Sequence, residues 1–572
     1  MNPERYLLVI GANRSPALLS RAAAQLTGCG LQRRDFGQDV TLFAAPGLAV
    51  VEHPSLAVIG QMSDANLAQL AHCETPVELV ADSWGNYIAL GLGTDGTPRW
   101  VMRAPLGHLP AYRTSANGTE IIGSHPDLTL AVTDEKPTLA WEFVGRHLAF
   151  QHLQTSETGL AGIEELLGGE SLEQGSNGDW HRRQVWSPWT WTAQSREIGD
   201  PLRARQNLRA SVERAVAGLI PRDVLCLLEL SGGVDSSILA AALAGHKAKA
   251  RAVTLVTDER EGDERIYARA ASIATGLPLD EVAVTGAVNL ARPASMRSAR
   301  PGLPMTLSLA DDLLAEKARA ETIGAFVSGA GGDCVFCSPA SAAPAADVLR
   351  RFGVGRAAWA AVDALARIHH ASVWDVAKMA WRQARERTAQ SQWPRTTGFL
   401  AHDALPTTAP VHPWLEEPAD VLPGKRSHVR AILAALAHVE GYGRHAVAPS
   451  RFPLLSQPVV ETALRIPSWL WIENGRDRAV ARTAYSGFLP ASVLDRRTKG
   501  GLDSYAIAML AHNRSALQPL LLEGHVSRSG LLDRRRLEAA LARQPRRGDA
   551  DTYLLFPLID TEAWASAWLG EP

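Results

Sequence analysis

Apolar residues in the first third of the chain come in short runs that are separated by turn residues. Tyr6–Ile10, Val40–Phe43 and Tyr87–Leu92 are such runs, and the segments between them are rich in Gly, Asn, Asp and Pro. Short apolar runs bounded by these residues are typical of β-strands. We therefore predict a β-rich domain over residues 1–190.

A different pattern begins near residue 200. Asp200 and Pro201 have the residue types preferred at a helix N-cap and in a first helical turn. Predicted strands and helices then alternate, which is typical of an α/β domain with a doubly wound parallel sheet that binds ligands at the carboxyl ends of its strands. The predicted strands are Leu225–Leu230, Ala252–Val256, Glu281–Val284 and Ala325–Ser328, and the predicted helices are Glu264–Thr275 and Ser308–Thr322, with Ser308 as N-cap. The remainder, to Pro572, is predicted to be helical with loops.

Length, charge and cysteine content indicate a multidomain globular protein and argue against a nucleic-acid-binding or membrane-spanning one. A chain of 572 residues exceeds the size at which single cores stop growing, about 250–300 residues, so more than one domain is expected. The net charge of −2 gives no bulk attraction to nucleic acid or to an anionic membrane, and no apolar stretch approaches the ~18 residues of a membrane span. Five thinly spread cysteines favour a reducing compartment, so we predict a cytoplasmic protein. The single C-x-x-C, Cys334 and Cys337, is predicted to pack rather than to bind zinc.

The stretch LELSGGVDSS, which ends at Ser237, is the first candidate ligand-binding motif in the chain. Gly232 and Gly233 let backbone N–H groups approach an anion, and the start of the following helix favours negative charge at the same place. Asp235 beside a phosphate cradle requires a cation between them, so the loop predicts Mg²⁺. The alternative is an ordinary strand–turn–helix with a serine cap. The S-G-G-x-D-S pattern resembles the pyrophosphate loop of ATP pyrophosphatases, which split ATP between the α and β phosphates.

A second glycine-rich loop, Ser328–Phe336, follows the strand at Ala325–Ser328. Its small residues would let it lie against a nucleotide, and Asp333 would give a second oxygen ligand to the Mg²⁺ that Asp235 requires. The alternative is a glycine turn with an Asx cap. The residues predicted to bind ATP and its pyrophosphate are Leu230, Ser231, Gly232, Gly233, Asp235, Ser236, Ser237, Val253, Ser328 and Gly329, and those predicted to bind the metal are Asp235 and Asp333.

The β-rich part carries two recognisable stretches, Arg103–Pro126 and Phe143–Leu172. In this order they resemble the glutaminase domain of class II amidotransferases, which implies an Ntn-hydrolase-type α+β sandwich. That family uses a cysteine at position 2 as nucleophile, and this sequence has Asn2. The resemblance therefore implies a degenerate glutaminase-like domain, with a supporting role or one wall of a substrate site.

Together, the two loops behind such a domain resemble the asparagine synthetase superfamily over nearly the whole chain. This implies an ATP-dependent amide-forming domain over residues 200–572. Ala330 stands where asparagine synthetases have a glutamate and β-lactam synthetases a tyrosine. The stretch GGDCVFC with the nearby Ala342–Asp347 instead resembles the lasso peptide cyclases.

Two later stretches match the same superfamily. His438–Glu461 is similar to the segment that lines the acceptor side of the site, which makes Glu440 a candidate for binding or deprotonating the amine; the alternative is a surface glutamate. Leu489–Gly501 resembles the loop that carries a catalytic lysine, and Lys499 is the match; the alternative is an exposed basic turn. Arg496 and its neighbour Arg497 are expected to be solvated or to contact peptide.

The resemblance implies a ligase that adenylates an Asp or Glu side chain of a leader-cleaved precursor peptide. It would then join that carboxyl group to the peptide's N-terminal amine, with ATP and Mg²⁺ as cofactors. The implied partners are the precursor peptide and a processing leader peptidase. Three alternatives remain: a β-lactam synthetase-like enzyme, an ammonia-dependent asparagine synthetase, and a non-catalytic scaffold that binds peptide or a processing protease.

Overall fold

The computed structural model describes residues 3–11, 16–37, 39–63, 70, 73–116, 118–257, 262–285, 288–302, 304–386, 393–497, 500 and 503–570. The strands in these residues are β1 Tyr6–Ile10, β2 Gln32–Phe36, β3 Val40–Ala44, β4 Val50–His53, β5 Leu56–Ser63, β6 Trp84–Leu92, β7 Pro98–Arg103, β8 Tyr112–Ala116, β9 Thr119–Gly123, β10 Glu164–Glu165, β11 Glu170–Gln174, β12 Trp180–Gln184, β13 Cys226–Glu229, β14 Ala250–Val256, β15 Leu279–Ala283, β16 Ala325–Val327 and β17 Ser450–Arg451.

The α-helices in the same described part are α1 Pro16–Gly28, α2 Pro76–Asp82, α3 Pro126–Thr133, α4 Trp141–Ala149, α5 Trp189–Thr192, α6 Pro201–Leu219, α7 Val234–His246, α8 Arg265–Thr275, α9 Ser308–Glu321, α10 Gly332–Val335, α11 Ala343–Phe352, α12 Arg356–His369, α13 Val373–Arg385, α14 Pro423–Leu436, α15 Gln457–Arg465, α16 Ala479–Ala484, α17 Ala491–Leu494, α18 Asp503–Glu523, α19 His525–Arg528, α20 Arg534–Ala542 and α21 Ala550–Leu569. The chain is a mixed α/β protein with a β-rich N-terminal region and a later parallel sheet. No helix among the described residues is long and apolar enough to cross a bilayer.

Strands β1–β12 form two antiparallel sheets that pack face to face as a β-sandwich. Their orders are β10-β8-β9-β1-β3-β2 and β12-β11-β7-β6-β5-β4. One buried cluster joins side chains of both sheets, among them Leu8 and Ile122 from the first and Ile88 and Val101 from the second. The predicted β-rich region therefore owes its stability to the burial of the two facing apolar surfaces.

The second sheet of the sandwich is buried on both faces. Along β6, Ile88 and Leu90 face the first sheet, whereas Tyr87 and Ala89 belong to the core shared with helix α6 and the rest of the chain. Successive strand residues point to opposite faces, so a continuous apolar run is what such a strand requires. This sheet is thus the surface through which the sandwich packs on the remainder of the molecule.

The parallel sheet has the order β15-β14-β13-β16-β17. The chain passes from β13 outward to β14 and β15 and then returns to place β16 on the other side of β13. Helix α9 contributes Leu314 to the core on one face of the sheet, and helix α7 contributes Ile238 to the core on the other face. The topological switch between β13 and β16 creates a crevice at their carboxyl ends, where ligands bind in this class of sheet.

The strands and helices predicted between residues 225 and 328 begin and end within two residues of the observed ones, and both β14 and β15 begin two residues early. Asp200 caps α6 as predicted, since its carboxylate accepts a hydrogen bond of 2.7 Å from the Arg203 N–H. Ser308, however, was wrongly predicted as a cap: its hydroxyl donates to the Met305 carbonyl at 2.7 Å, and Leu307 occupies the N-cap position. Strand β15 begins two residues before the predicted Glu281 because Leu279 already pairs with Ala252 of β14.

Candidate active site

A cavity of about 530 Å³ lies at the switch point of the parallel sheet. This volume falls in the range of about 300–1,000 Å³ that is typical of small-molecule and cofactor sites. Eight of the ten predicted nucleotide residues line it, and so does the predicted metal ligand Asp333; the eight are Leu230, Ser231, Gly233, Asp235, Ser236, Val253, Ser328 and Gly329. The residues that follow β13 and β16 thus meet around one space, as the parallel topology predicts.

The first loop presents the N-terminus of α7 to the cavity. The N-cap residue is Gly233, and no side chain caps the helix. Ser231 and Ser236 instead hold the turn together, with their hydroxyl oxygens 3.3 Å apart and the Gly233 N–H donating to the Ser231 hydroxyl at 3.3 Å. The first N–H groups of a helix have no partner within it, so this arrangement leaves those of α7 available to an anionic ligand.

Gly232 has a different role from the one expected of it. Its φ is +69°, and a Cβ there would lie 2.4 Å from the Tyr267 carbonyl carbon and from the Ala268 nitrogen of α8. Gly232 is absent from the residues that line the cavity. The glycine is required by backbone conformation and by close packing on α8, not by phosphate contact.

Replacing Gly232 with Ala is expected to lower the thermal midpoint and weaken nucleotide binding. A left-handed conformation costs a non-glycine residue about 1–2 kcal/mol, and the contact with the α8 backbone adds to that. Gly233→Ala is the matched control, because a Cβ there meets only the Ser231 hydroxyl at 3.3 Å. Thermal unfolding of the two variants measures the difference, and equal midpoints would contradict the assignment.

The second loop presses directly on the first. A Cβ on Gly329 would lie 3.0 Å from the Ser236 nitrogen, and a Cβ on Gly332 would lie 2.6 Å from the Asp235 Cβ. Only glycines allow the two backbones to approach this closely. Asp235 and Asp333 consequently lie on the wall of the same cavity.

Ser237 is the other predicted nucleotide residue that does not line the cavity. Its side chain is fully buried behind the first turn of α7, and its N–H donates to the Gly233 carbonyl at 3.1 Å. The expectation that all three hydroxyls of the loop face the ligand is therefore wrong for Ser237. Ser231 and Ser236 are the hydroxyls that face the cavity.

Arg478 is a major charged group of the site that sequence reasoning missed. Its guanidinium donates to the Asp235 carboxylate at 2.8 Å and to the Asp477 carboxylate at 2.9 Å. Burial alone would lower the pKa of Arg478, but Asp235, Asp477 and the more distant Asp333 together raise it. The residue adopts a left-handed φ of 53°, an uncommon conformation for a non-glycine residue that occurs where surrounding contacts enforce it.

Asp477 fixes the direction of Arg478. Its carboxylate accepts hydrogen bonds from the Ser338 hydroxyl at 2.7 Å and from Arg482 at 2.8 Å. Burial would raise the pKa of Asp477, but Arg478, Ser338 and Arg482 outweigh it and lower the pKa to about 2.

The cationic side chains on the cavity wall are Arg367, Arg476, Arg478, Arg482, Arg496 and Arg497. The same cavity is lined by five carboxylates of the described residues, Glu229, Asp235, Glu264, Asp333 and Asp477, and Arg478, Arg482 and Arg496 each pair with one of them.

Asp235 and Asp333 have the chemistry that a magnesium site needs. Carboxylate oxygens together with ligand phosphate oxygens are the donors that Mg²⁺ takes in phosphoryl sites. No group of three or more His, Cys, Asp or Glu side chains that could hold a metal by itself occurs in the described part of the chain. A bound Mg²⁺ would therefore depend on the phosphates of the ligand as well as on these two residues.

Glu440 lies apart from the large cavity, in contact with residues of the sandwich. The alternative that it is a surface glutamate is wrong, because its side chain is only 16% exposed. Its carboxylate accepts a hydrogen bond of 3.0 Å from the Tyr112 hydroxyl and lies 3.7 Å from Arg103 and 3.8 Å from Arg300. These partners, with Glu165, form a buried ionic cluster between the sandwich and the rest of the chain. Glu440 is not among the described residues that line the large cavity, so the structure does not bring it together with Asp235 and Asp333.

The pKa values of the two carboxylates in this cluster, Glu440 and Glu165, shift in opposite directions. Burial and the neighbouring Glu165 raise the pKa of Glu440, and the two arginines only partly oppose them. Burial would also raise the pKa of Glu165, but Arg300 and Arg103 overcome it and lower that pKa. Glu165 is therefore the carboxylate of the cluster whose charged form the two arginines stabilise.

Lys499 and Asn2 lie outside the described residues, so the roles expected of them remain predictions. The described residues on either side of Lys499 are Arg497 and Gly500, and both line the cavity. Arg496 is not solvated as expected: its side chain is 6% exposed, donates to Glu264 at 2.6 Å and lies 4.0 Å over the Tyr267 ring.

Other predicted motif residues support the fold. Burial raises the pKa of the Cys337 thiol to about 12. Asp347 is fully buried and accepts hydrogen bonds from the Gly424 N–H at 2.7 Å and from the Ser468 hydroxyl at 2.5 Å. Asp347 thereby ties α11 to α14 and does not line the cavity.

Two solved structures are matched by this chain at low similarity. One is titled a structure of the allosteric regulatory enzyme of purine biosynthesis; the identity is 10%, the match covers 55% of this chain and 87% of that chain, and the TM-score is 0.20. The other is the glutamine phosphoribosylpyrophosphate amidotransferase from B. subtilis complexed with ADP and GMP, with 12% identity, 58% and 77% coverage and a TM-score of 0.19. Neither score is high enough to carry an argument. Comparison with curated proteins gives no significant match.

A family comparison is more informative. The model of the asparagine synthase family matches residues 207–569, which include β13–β17, both glycine-rich loops and the arginines of the cavity wall. This family implies an ATP-dependent ligase that forms amide bonds. On this match, which extends over more than half of the sequence, the chain belongs to the asparagine synthase family.

Proposed function

We propose that this chain is an ATP-dependent macrolactam synthetase of the lasso peptide cyclase type. Its substrate is a leader-cleaved peptide, and its product is a ring closed between an Asp or Glu side chain and the N-terminal amine. The observation that carries this proposal is that Asp235 and Asp333 lie on one cavity at the sheet's switch point, beside the α7 N-terminus.

In the first step, the peptide carboxylate attacks the α-phosphorus of ATP. A carboxylate oxygen–phosphorus bond forms, the bond between the α-phosphorus and the bridging oxygen breaks, and pyrophosphate leaves with the electron pair. Mg²⁺ held by Asp235 and Asp333 would neutralise charge on the phosphates. The N-terminus of α7, with Ser231 and Ser236, would hold the pyrophosphate.

The arginine wall contributes to this first step. Arg478 is held in place by Asp477, so it needs no reorganisation when negative charge grows on the leaving group. Lys499 is proposed to stabilise the same negative charge on the leaving group, as the resemblance to the superfamily implies. The apolar floor at Leu230 and Val253 is the proposed place for the adenine ring, since both side chains line the cavity and are otherwise buried.

In the second step, the peptide's amine attacks the acyl carbon of the adenylate. The new carbon–nitrogen bond forms, AMP leaves with the carboxylate-derived oxygen, and one amine proton is released. Because water also hydrolyses acyl-adenylates, the peptide has to exclude it while the ring closes. That Glu440 binds the amine remains a proposal. Because Glu440 lies in the buried ionic cluster, it would act on the amine through other groups and not by direct contact.

Ala330 supports a substrate other than free aspartate. It lines the cavity with a methyl group, where asparagine synthetases have a glutamate and β-lactam synthetases a tyrosine. Arg367, Ile368 and His370, at the end of helix α12, line the same cavity. The Arg367 side chain is 63% exposed, so the cavity borders the outer surface of the helical region there, which supports a substrate that extends out of the cavity.

For the sandwich we propose a degenerate glutaminase-like fold with a supporting role. It supplies Arg103, Tyr112 and Glu165 to the buried ionic cluster, and Arg300 and Glu440 come from the rest of the chain. The sandwich thereby fixes the segments around Arg300 and Glu440 relative to the parallel sheet. A leader peptidase remains the proposed second partner.

Incubation of the purified chain with MgATP and linear peptides tests the proposed function. The peptides carry a free α-amine and a single internal Asp or Glu. We expect AMP and pyrophosphate in equal amounts and a peptide product lighter by one water. A peptide with Asn in place of the Asp is the control for the first step, and an N-acetylated peptide is the control for the second.

Other outcomes would contradict the proposal. Turnover of a small β-amino acid, but of no peptide, would indicate a β-lactam synthetase-like enzyme. Turnover of aspartate with ammonia would indicate an asparagine synthetase. AMP release with none of these substrates would indicate a scaffold.

A further inference from the structure

Helix α12 carries a stripe that leads away from the cavity. Trp359, Asp363 and Arg367 follow one another at four-residue intervals, so they share one face of the helix. Arg367 lines the cavity and pairs with Asp363 at 2.9 Å. Trp359 is 52% exposed and lies about 12 Å from Arg367 along the helix axis, at 1.5 Å per residue.

Helix α13 continues this stripe. The Trp374 ring packs edge-on against Trp359, with centroids 6.1 Å apart, and is itself 72% exposed. Trp381 follows seven residues later on the same face and is 45% exposed. The Arg385 guanidinium lies 4.5 Å over the Trp381 ring. The stripe from Arg367 through the three tryptophans to Arg385 is called the aromatic track.

The aromatic track is unusual for a solvated surface. Large exposed aromatic side chains in contact with one another mark binding surfaces more often than isolated exposed ones do. Helices α12 and α13 together carry five Arg or Lys side chains against two Asp, in a chain whose net charge is −2. A matching ligand would have apolar side chains and a negatively charged end.

The size of the cavity indicates which ligand this is. A volume of about 530 Å³ is that of a site for one cofactor-sized ligand, so MgATP leaves room for only the reacting residues of a peptide. Arg367 lines the cavity with a side chain that is 63% exposed, so the cavity reaches the outer surface at the residue where the aromatic track begins. The α12 part of the track is about 12 Å long and its α13 part, from Trp374 to Arg385, about 16 Å, so each offers room for about three to five residues of extended chain at 3.3–3.6 Å per residue.

We infer that the aromatic track binds the segment of the peptide substrate that follows the activated Asp or Glu. Apolar side chains of that segment pack on Trp359, Trp374 and Trp381, and its C-terminal carboxylate lies toward the cationic end at Arg385. This inference rests on the proposed function and adds to it the surface that selects the substrate. The track binds substrate and does not touch the reacting atoms.

A double-mutant comparison between enzyme and peptide tests the inference. The enzyme variant is Trp359→Ala with Trp374→Ala, and the peptide variant ends shortly after the activated residue. For the wild-type enzyme, we expect truncation of the peptide to raise KM about tenfold with little change in kcat, the size of one aromatic anchor. For the variant enzyme, both peptides are expected to show the same raised KM, because the contact is already lost.

Ile273→Ala is the matched control, since Ile273 is 83% exposed and lies about 13 Å along α8 from the cavity residue Glu264. It is expected to retain the wild-type KM ratio. Multiplicative effects of the enzyme and peptide changes would overturn the inference, because the tail would then bind elsewhere. An unchanged KM together with lost binding of a purified leader peptidase would overturn it in favour of a protein-docking surface. If wild-type enzyme releases no AMP with any peptide, the proposed function itself fails, and the two failures are thus distinguishable.

Discussion

Replacing Asp333 with Asn is expected to slow adenylation by about 10³-fold, comparable to removing one preorganised charge-stabilising group from an active site. The change removes one negative charge from the cavity wall and keeps the size of the side chain. The hydrogen bond of 3.0 Å from the Cys334 N–H to the carboxylate can be retained by the amide oxygen. The protein should therefore fold normally and bind Mg²⁺ with ATP poorly.

Pyrophosphate exchange into ATP, measured against Mg²⁺ concentration, separates these effects. We expect the variant to need more Mg²⁺ and to stay slow at saturation. Asp312→Asn is the control: its side chain is 40% exposed, pairs with Arg292 on the surface and does not line the cavity. A variant Asp333→Asn with the wild-type rate and the wild-type Mg²⁺ dependence would remove Asp333 from the proposed metal site.

Replacing Glu165 with Ala is expected to lower the free energy of unfolding by about 3–5 kcal/mol, as when one partner of a buried ion pair is removed. Glu165 is fully buried, contacts Arg103 and lies 2.5 Å from Arg300. Without it, the two buried guanidinium groups retain their backbone carbonyl acceptors and, among the described carboxylates of the cluster, that of Glu440, whose pKa is raised. The loss should be concentrated at the contact between the sandwich and the rest of the chain.

Urea unfolding monitored by tryptophan fluorescence measures this effect. Glu164→Ala is the control, because Glu164 is the neighbouring residue in β10 and its side chain is 58% exposed. We expect a midpoint close to that of the wild type for Glu164→Ala and a clearly lower one for Glu165→Ala. Equal midpoints for the two variants would show that the buried cluster does not hold the sandwich in place.

The part of the site that local sequence determines was predictable. A strand, a glycine turn and a helix start are contiguous in LELSGGVDSS, and parallel topology then decides which strand ends are neighbours. For this reason Asp235 and Asp333 could be expected on one cavity although they are far apart in sequence. The sequence correctly indicated that this turn requires glycines. Gly232, however, is needed for its backbone conformation and for close packing on α8, not for contact with phosphate.

The part that depends on long-range packing was not predictable. Arg478 reaches Asp235 from a helix start some 240 positions later, and no local pattern announces that contact. The only signal was the density of charge around Asp477 in an otherwise apolar region. Glu440 was assigned by resemblance to the acceptor side, whereas its actual partners, Arg103 and Tyr112, come from the sandwich.

Oxygen-isotope transfer is the most direct measurement of whether this enzyme adenylates a carboxylate. A peptide whose internal Asp or Glu side chain is labelled with ¹⁸O is incubated with the enzyme and MgATP. We expect one ¹⁸O atom in the AMP that is released for each ring closed, because the attacking oxygen leaves with the α-phosphate. Unlabelled AMP, or label in inorganic phosphate accompanied by ADP, would contradict attack of the carboxylate on the α-phosphorus.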